Sequence, residues 1–265
     1  MSRYAACFNN LEQQKRIAWI PFMMLGYPDP ESCIKLIKVL IDEGADALEL
    51  GIPFSDPIAD GKMVQIAAKK ALTQGVHVND CFEMIAEIRR YAPSIPIGLL
   101  TYSNLVFRPG IDNFYQHCAD AGVDSVLIAD VPAMEAERFK TSASRHGIDT
   151  VLIAPPNADN RTIESIAKLT EGYTYVVSRP GVTGDQTEAH YPKEVLEMLQ
   201  NHNSAPAVLG FGISTPEQVF EAARVGFRGA IAGSAVVRVI EQNGDEPEKA
   251  LADYGRAMRE ATGIC

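Results

Sequence analysis

At 265 residues the chain is close to the roughly 250 of one (β/α)8 barrel and long enough to bury a sizeable core. Its 46% hydrophobic and 22% charged residues suit a globular protein, and a net charge of −10 without a basic cluster disfavours nucleic acid or an anionic membrane as partner. The N-terminus lacks the basic start and apolar run of a signal peptide, and no apolar stretch approaches the ~20 residues of a membrane helix, so a cytoplasmic location is expected.

In chain order, the residues before Trp19 read as an extra helix that caps the bottom of a barrel. Apolar runs at 19–25, 47–50, 97–101, 125–129, 150–154, 173–178, 207–210 and 229–232 read as strands. They are apolar along most of their length, as strands buried on both faces of a parallel sheet are. Amphipathic stretches at 31–43, 78–91, 111–121, 134–146, 161–169, 192–200 and 216–225 read as helices. The phrase Glu43-Gly-Ala-Asp46 recurs as Ala121-Gly-Val-Asp124 and Val225-Gly-Phe-Arg228, a helix-ending glycine followed by entry into the next strand. Strand–helix units that follow one another without a linker predict an α/β protein, a single (β/α)8 TIM barrel over residues 1–265. An open dinucleotide-binding sheet would carry Gly-x-Gly-x-x-Gly after its first strand; here that turn reads Leu25-Gly-Tyr-Pro-Asp29. Long connections at 51–76, after the second strand, and 179–191, after the sixth, are expected to be lids on the catalytic face.

Three glycine-containing turns follow the last three strands: Ser178-Arg-Pro-Gly-Val-Thr-Gly184, Gly210-Phe-Gly-Ile-Ser214 and Ala232-Gly-Ser-Ala235. Backbone N–H groups converging there suit a phosphate dianion, which barrels of this kind often hold after strands seven and eight. The plainer alternative is that they are only tight turns. No strand end carries a lysine, which disfavours a Schiff-base aldolase. None carries a histidine, and the five scattered cysteines offer no Cys-x-x-Cys pair, so neither a metal site nor a disulfide framework is expected. What remains is acidic. Glu49 interrupts the apolar run Ala47-Leu-Glu-Leu-Gly-Ile52, where burial would raise its pKa toward neutrality and suit it to proton transfer. The alternative is a buried glutamate paired with an arginine or a backbone amide. Asp56 and Asp60 follow in the loop, where Asp often serves as a turn former, and Asp130 sits near the rim.

The run Leu48-Glu-Leu-Gly-Ile-Pro-Phe-Ser-Asp-Pro-Ile-Ala-Asp-Gly61 resembles the signature of the tryptophan synthase α-subunit family. The similarity continues through Pro96-Ile-Gly-Leu-Leu-Thr-Tyr-Ser-Asn-Leu-Val-Phe107, Ile128-Ala-Asp-Val-Pro132, Gly172-Tyr-Thr-Tyr175 and the three glycine turns, and covers essentially the whole chain. It implies a retro-aldol cleavage of indole-3-glycerol phosphate to indole and glyceraldehyde 3-phosphate, with Glu49 as acid and base at indole C3 and Asp60 on the ring N–H. It further implies that Thr183 helps hold Asp60, and that Phe22, Leu100, Leu127, Ile153, Tyr175 and Phe211 wall the indole. Gly184, Gly212, Gly233 and Ser234 would offer N–H groups to the phosphate. No cofactor is expected in this chain; pyridoxal phosphate (PLP) would belong to a β subunit, met in an αββα complex through the lid carrying Asp56 and the stretch 102–107, and receiving indole through a tunnel.

Two departures stand out: Lys62-Met63 replaces a usual Pro-Thr, and Met24 replaces a common Thr. Lys62 could pair with Asp60 or with the partner. Among rival readings, an indole-glycerol phosphate synthase would need a lysine at a strand end, while a non-catalytic regulatory barrel would have no use for Glu49 and Asp60 together.

Overall fold

The computed structural model describes residues 2–178, 191–244 and 246–263. Among them nine strands form one parallel sheet: β1 (Ala18–Met24), β2 (Leu48–Gly51), β3 (Ile97–Thr101), β4 (Ser125–Ile128), β5 (Asp149–Val151), β6 (Ile153–Ala154), β7 (Thr174–Val177), β8 (Ala207–Gly210) and β9 (Gly229–Ala232). Their order is β5-β4-β3-β2-β1-β9-β8-β7-β6. Only Leu152 separates β5 from β6, so the two ends of the ladder meet and the ring closes with eight strand positions. The expected fifth strand at 150–154 is thus one position broken in two, β5 pairing back to β4 and β6 pairing on to β7.

Directly paired residues of parallel neighbours face the same side, and successive residues of a strand alternate sides. The register aligns Phe22 with Glu49 and Glu49 with Gly98. It also aligns Gly51 with Leu100, Leu100 with Leu127, and Ile153 with Tyr175. Phe22, Glu49, Leu100, Leu127, Ile153 and Tyr175 therefore all face the barrel interior. The alternate residues, such as Trp19 and Leu99, pack under the surrounding helices and are fully or almost fully buried.

The N-terminal helix Arg3–Gln13 starts on Ser2, whose Oγ accepts from the Ala5 N–H. It buries Tyr4, Phe8 and Leu11, each worth about 2 kcal/mol of apolar transfer. Tyr4 makes a 3.0 Å hydrogen bond with Ser125 at the start of β4, which plugs the lower mouth as expected. The recurring glycine phrase works there too. Gly44 and Gly122 have φ of 91° and 85°, a conformation that favours glycine at helix ends. The aspartates that follow pin neighbouring strands: Asp46 Oδ2 accepts from Trp19 N–H at 3.0 Å and Asp124 Oδ2 from Ile97 N–H at 2.8 Å.

Helices at Val78–Tyr91, Ile111–Ala121 and Pro216–Val225 match the sequence pattern. The expected helix at 134–146 is a 3-10 turn, Ala133–Glu135, followed by Glu137–Arg145. One expectation needs correction: the connection 51–76 is not one long loop. It is a short loop, 52–61, followed by the helix Lys62–Thr73, which buries Val64, Ala67, Ala68 and Ala71. Mostly alanine, that buried face gives a weak amphipathic signal. The other expected lid, apart from Tyr191, lies outside the described residues. No helix among the described residues is long and apolar enough to cross a membrane.

Candidate active site

Glu49 is the one charged side chain that β2 turns into the barrel, and it is 2% exposed. Tyr173, just before β7, reaches across the interior and donates its hydroxyl to Glu49 Oε1 at 2.8 Å. Among the described residues no cation contributes to its ionisation. Burial pushes the carboxyl up to about 7; the Tyr173 hydrogen bond opposes the rise and the neighbouring Asp60 charge adds to it. A glutamate held there is part protonated at neutral pH and can both give and take a proton. Among the described residues it has no arginine partner, the pairing the sequence left open.

Asp60 ends the loop that leaves β2, 8% exposed. Its main chain is fixed at both sides: its N–H donates to Pro57 O at 3.2 Å, and Gln65 Nε2 donates to its carbonyl at 2.7 Å. Its side chain accepts from the Tyr102 hydroxyl at 2.9 Å. Burial pushes this carboxyl up to about 6, with the Tyr102 bond pulling the other way. Both carboxyls are thus raised toward neutrality by burial in one space, where proton exchange near pH 7 is favoured. Tyr175, 4% exposed, occupies the same space: the charges of both Glu49 and Asp60 add to the burial that raises its phenol.

At the rim above β8 and β9 the backbone turns tightly. Phe211 adopts φ of 64°, a left-handed conformation rare for a side chain of its size, and Gly212 follows at 76°. Ser178 Oγ donates to Phe211 O at 3.1 Å and holds that turn. Gly210 has no room for a side chain, because a Cβ would lie 2.2 Å from the Tyr175 ring. Phe211 meets that same ring edge-on at 6.1 Å. Gly233 precedes the helix Ser234–Gln242, and a Cβ on it would touch Phe22 at 3.5 Å. The Ser234 hydroxyl is buried and has no hydrogen-bond partner among the described residues, an unmet polar group at a helix N-terminus.

The structure thus brings Glu49, Asp60, Phe22 and Tyr175 together, with Leu100, Leu127 and Ile153 on the same inner face. Phe211, Gly212, Gly233 and Ser234 lie at the rim. Thr183 and Gly184 lie outside the described residues. Asp130 is committed elsewhere, accepting from the Ser103 N–H and hydroxyl at 2.8 and 2.7 Å. Asp56 is exposed, with Ser55 as its hydroxyl partner. Lys62 is exposed and makes no ion pair with Asp60; the carboxylate has Tyr102 instead. Met24 is buried against Gly51, where a Cβ would sit 3.2 Å from its Cε. Among the described residues no three His, Cys, Asp or Glu side chains cluster to hold a metal ion. The sequence reading gave no role to Tyr173, or to Tyr102 beyond a surface segment. The signal for Tyr173 was its spacing of two from Tyr175, which puts both on the inner face.

Comparison with known proteins leads to the same place. The sequence model of the tryptophan synthase alpha chain family matches residues 8–263. The alpha chain of Aliivibrio fischeri is 53% identical over 99% of both chains, and that of Vibrio cholerae 50% identical over 100% of both. Among solved structures, tryptophan synthase subunit alpha from Legionella pneumophila superposes with a TM-score of 0.89 at 29% identity, covering 99% of this chain and 98% of that one. A chain of the tryptophan synthase α2β2 complex of Pyrococcus furiosus superposes with a TM-score of 0.84 at 33% identity, covering 93% and 99%. With its buried carboxyl pair inside a closed parallel barrel, and with similarity running from end to end, this chain belongs to the tryptophan synthase alpha chain family.

Proposed function

We propose that the chain is a lyase that splits indole-3-glycerol phosphate into indole and glyceraldehyde 3-phosphate by carboxylate acid–base chemistry. The indole C3 carbanion is a poor leaving group, so the ring must first be made an electron sink. The Glu49 carboxyl gives its proton to C3, forming the indolenine, while the Asp60 carboxylate accepts the ring N–H and stabilises the positive charge that develops there. The Glu49 carboxylate then takes the proton of the side-chain hydroxyl. The C–C bond to the ring breaks, its electrons restore the aromatic indole, and the aldehyde leaves. Phe22, Leu100, Leu127, Ile153, Tyr175 and Phe211 exclude water around the ring, and Gly184, Gly212, Gly233 and Ser234 hold the phosphate, with Thr183 steadying Asp60.

The observation that carries this reading is a buried glutamate, facing the interior, whose partner among the described residues is a phenol rather than a cation. The chain acts as one catalytic domain over residues 1–265, in the cytoplasm, and needs no cofactor of its own. Its partner is a PLP-dependent β subunit in an αββα complex, which takes up the indole through a tunnel and keeps it from diffusing away. The test is release of glyceraldehyde 3-phosphate from indole-3-glycerol phosphate, by the chain alone and with a β subunit. Glu49→Gln should lower turnover about a thousandfold or more with substrate binding kept. Comparable turnover in that variant would overturn the acid–base role, and no release by the wild-type chain in either setting would favour a regulatory barrel.

A further inference from the structure

We propose that Tyr102 is a positioning residue for this reaction, one phenol that fixes both the seat of the loop 52–61 and the aim of the Asp60 carboxylate. The inference rests on the role given to Asp60 above. Three separate contacts carry it. The Tyr102 ring stacks on Phe54 with centroids 5.1 Å apart. Its oxygen accepts from the Ala59 N–H at 3.2 Å, and its proton goes to Asp60 Oδ1 at 2.9 Å. Both hydrogen bonds run in one direction, amide to phenol to carboxylate, so each polarises the next.

The loop 52–61 has further ties of its own. Its first residue is tied to the barrel by Ile52 N–H to Leu100 O at 3.1 Å. Among its other ties are two local turns, Ile58 N–H to Asp56 O and Asp60 N–H to Pro57 O, and the Gln65 side chain on the Asp60 carbonyl at 2.7 Å. Ile58 at its crest is 77% exposed. Tyr102, in contrast, is mounted firmly. It follows β3 directly, is 2% exposed, and the next residue is clamped to Asp130 at the end of β4 through both its N–H and its hydroxyl. The barrel wall thus holds the phenol, and the phenol holds the loop and its acid.

A hydrogen bond donated to a carboxylate favours the charged form, so its loss moves the group's protonation to higher pH. Tyr102→Phe keeps the ring and its stack on Phe54 and removes only the hydroxyl. In complex with the β subunit, the variant should lose about tenfold in kcat near neutral pH with a smaller change in KM, since an ionised Asp60 is needed in the chemical step. The acidic limb of kcat against pH should move up by about one unit. A 13C titration of the Asp60 carboxyl, which requires no turnover, should show the same shift. An unchanged pH profile with an unchanged titration, or an effect on KM alone, overturns the proposal. Asp60→Asn separates the two layers. If that variant is inactive while Tyr102→Phe behaves as wild type, only the positioning role falls. If Asp60→Asn turns over normally, the reading of Asp60 falls and this proposal with it. If both variants are impaired, adding Tyr102→Phe to Asp60→Asn should cost nothing further; a full second loss would mean the phenol acts elsewhere and would overturn the proposal.

Discussion

At the lower end of the barrel Asp46 and Asp124 meet arginines, whereas toward the upper end the side-chain hydrogen bonds of Glu49 and Asp60, among the described residues, come from tyrosine hydroxyls. Arg16 lies 2.7 Å from Asp46, and Asp124 has Arg89 at 2.7 Å and Arg3 at 2.8 Å. Those two aspartates also accept from the backbone N–H groups of Trp19 and Ile97, so each fixes a strand start. Burial raises the Asp46 carboxyl, and the Trp19 amide and Arg16 pull it back. At Glu49 the Tyr173 phenol is the one group among the described residues that opposes burial. Burial is shared by both ends; among the described residues the guanidinium partners are found at the lower one.

That contrast can be broken first from below. Asp124→Ala removes the partner of Arg89, whose side chain is 13% exposed. Leaving that guanidinium unpaired should cost about 4 kcal/mol of stability, read by chemical denaturation. Turnover per folded molecule should stay near wild type; a large loss of kcat with stability intact would mean that the lower end is not merely structural.

Glu49→Gln sharpens the contrast from above, through stability rather than activity. Burial makes the folded chain hold the Glu49 proton more tightly than the unfolded chain, where the carboxyl has its ordinary value of 4.5. Wild-type stability therefore falls as pH rises from about 4.5 to about 7 and levels off above that window. Glutamine has no such slope. The variant should match wild type near pH 4 and gain up to about 3 kcal/mol near pH 8, measured by unfolding at the two pH values. A gain that does not grow with pH would show that the glutamate's charge costs the fold nothing.

Much of this contrast is legible in the sequence, and its limits are physical. Ala47-Leu-Glu-Leu-Gly-Ile52 announces a buried acid because a charge inside an apolar run has nowhere polar to go. The Asp that ends two of the three glycine phrases is equally visible, but its arginine is not: Arg89 and Asp124 are brought together by packing of the helix Val78–Tyr91 beside the end of Ile111–Ala121. Tyr173 and Glu49 are 124 positions apart and meet only because the barrel closes. The break at Leu152 is invisible for the same reason, since ring closure rather than local preference decides where one strand changes partner. The helix Lys62–Thr73 was absorbed into a loop because alanine buries a helix face without marking it. Helices with larger apolar side chains, such as Val78–Tyr91, are found to the residue.

The most direct test of the account is the ionisation of Glu49 in the folded wild-type chain, followed by 13C NMR of its side-chain carboxyl as pH is raised. A midpoint of about 7, falling back to the ordinary 4.5 when the chain is unfolded, is the result expected from burial beside a phenol. A midpoint at the ordinary glutamate value of 4.5 in the intact barrel would contradict it.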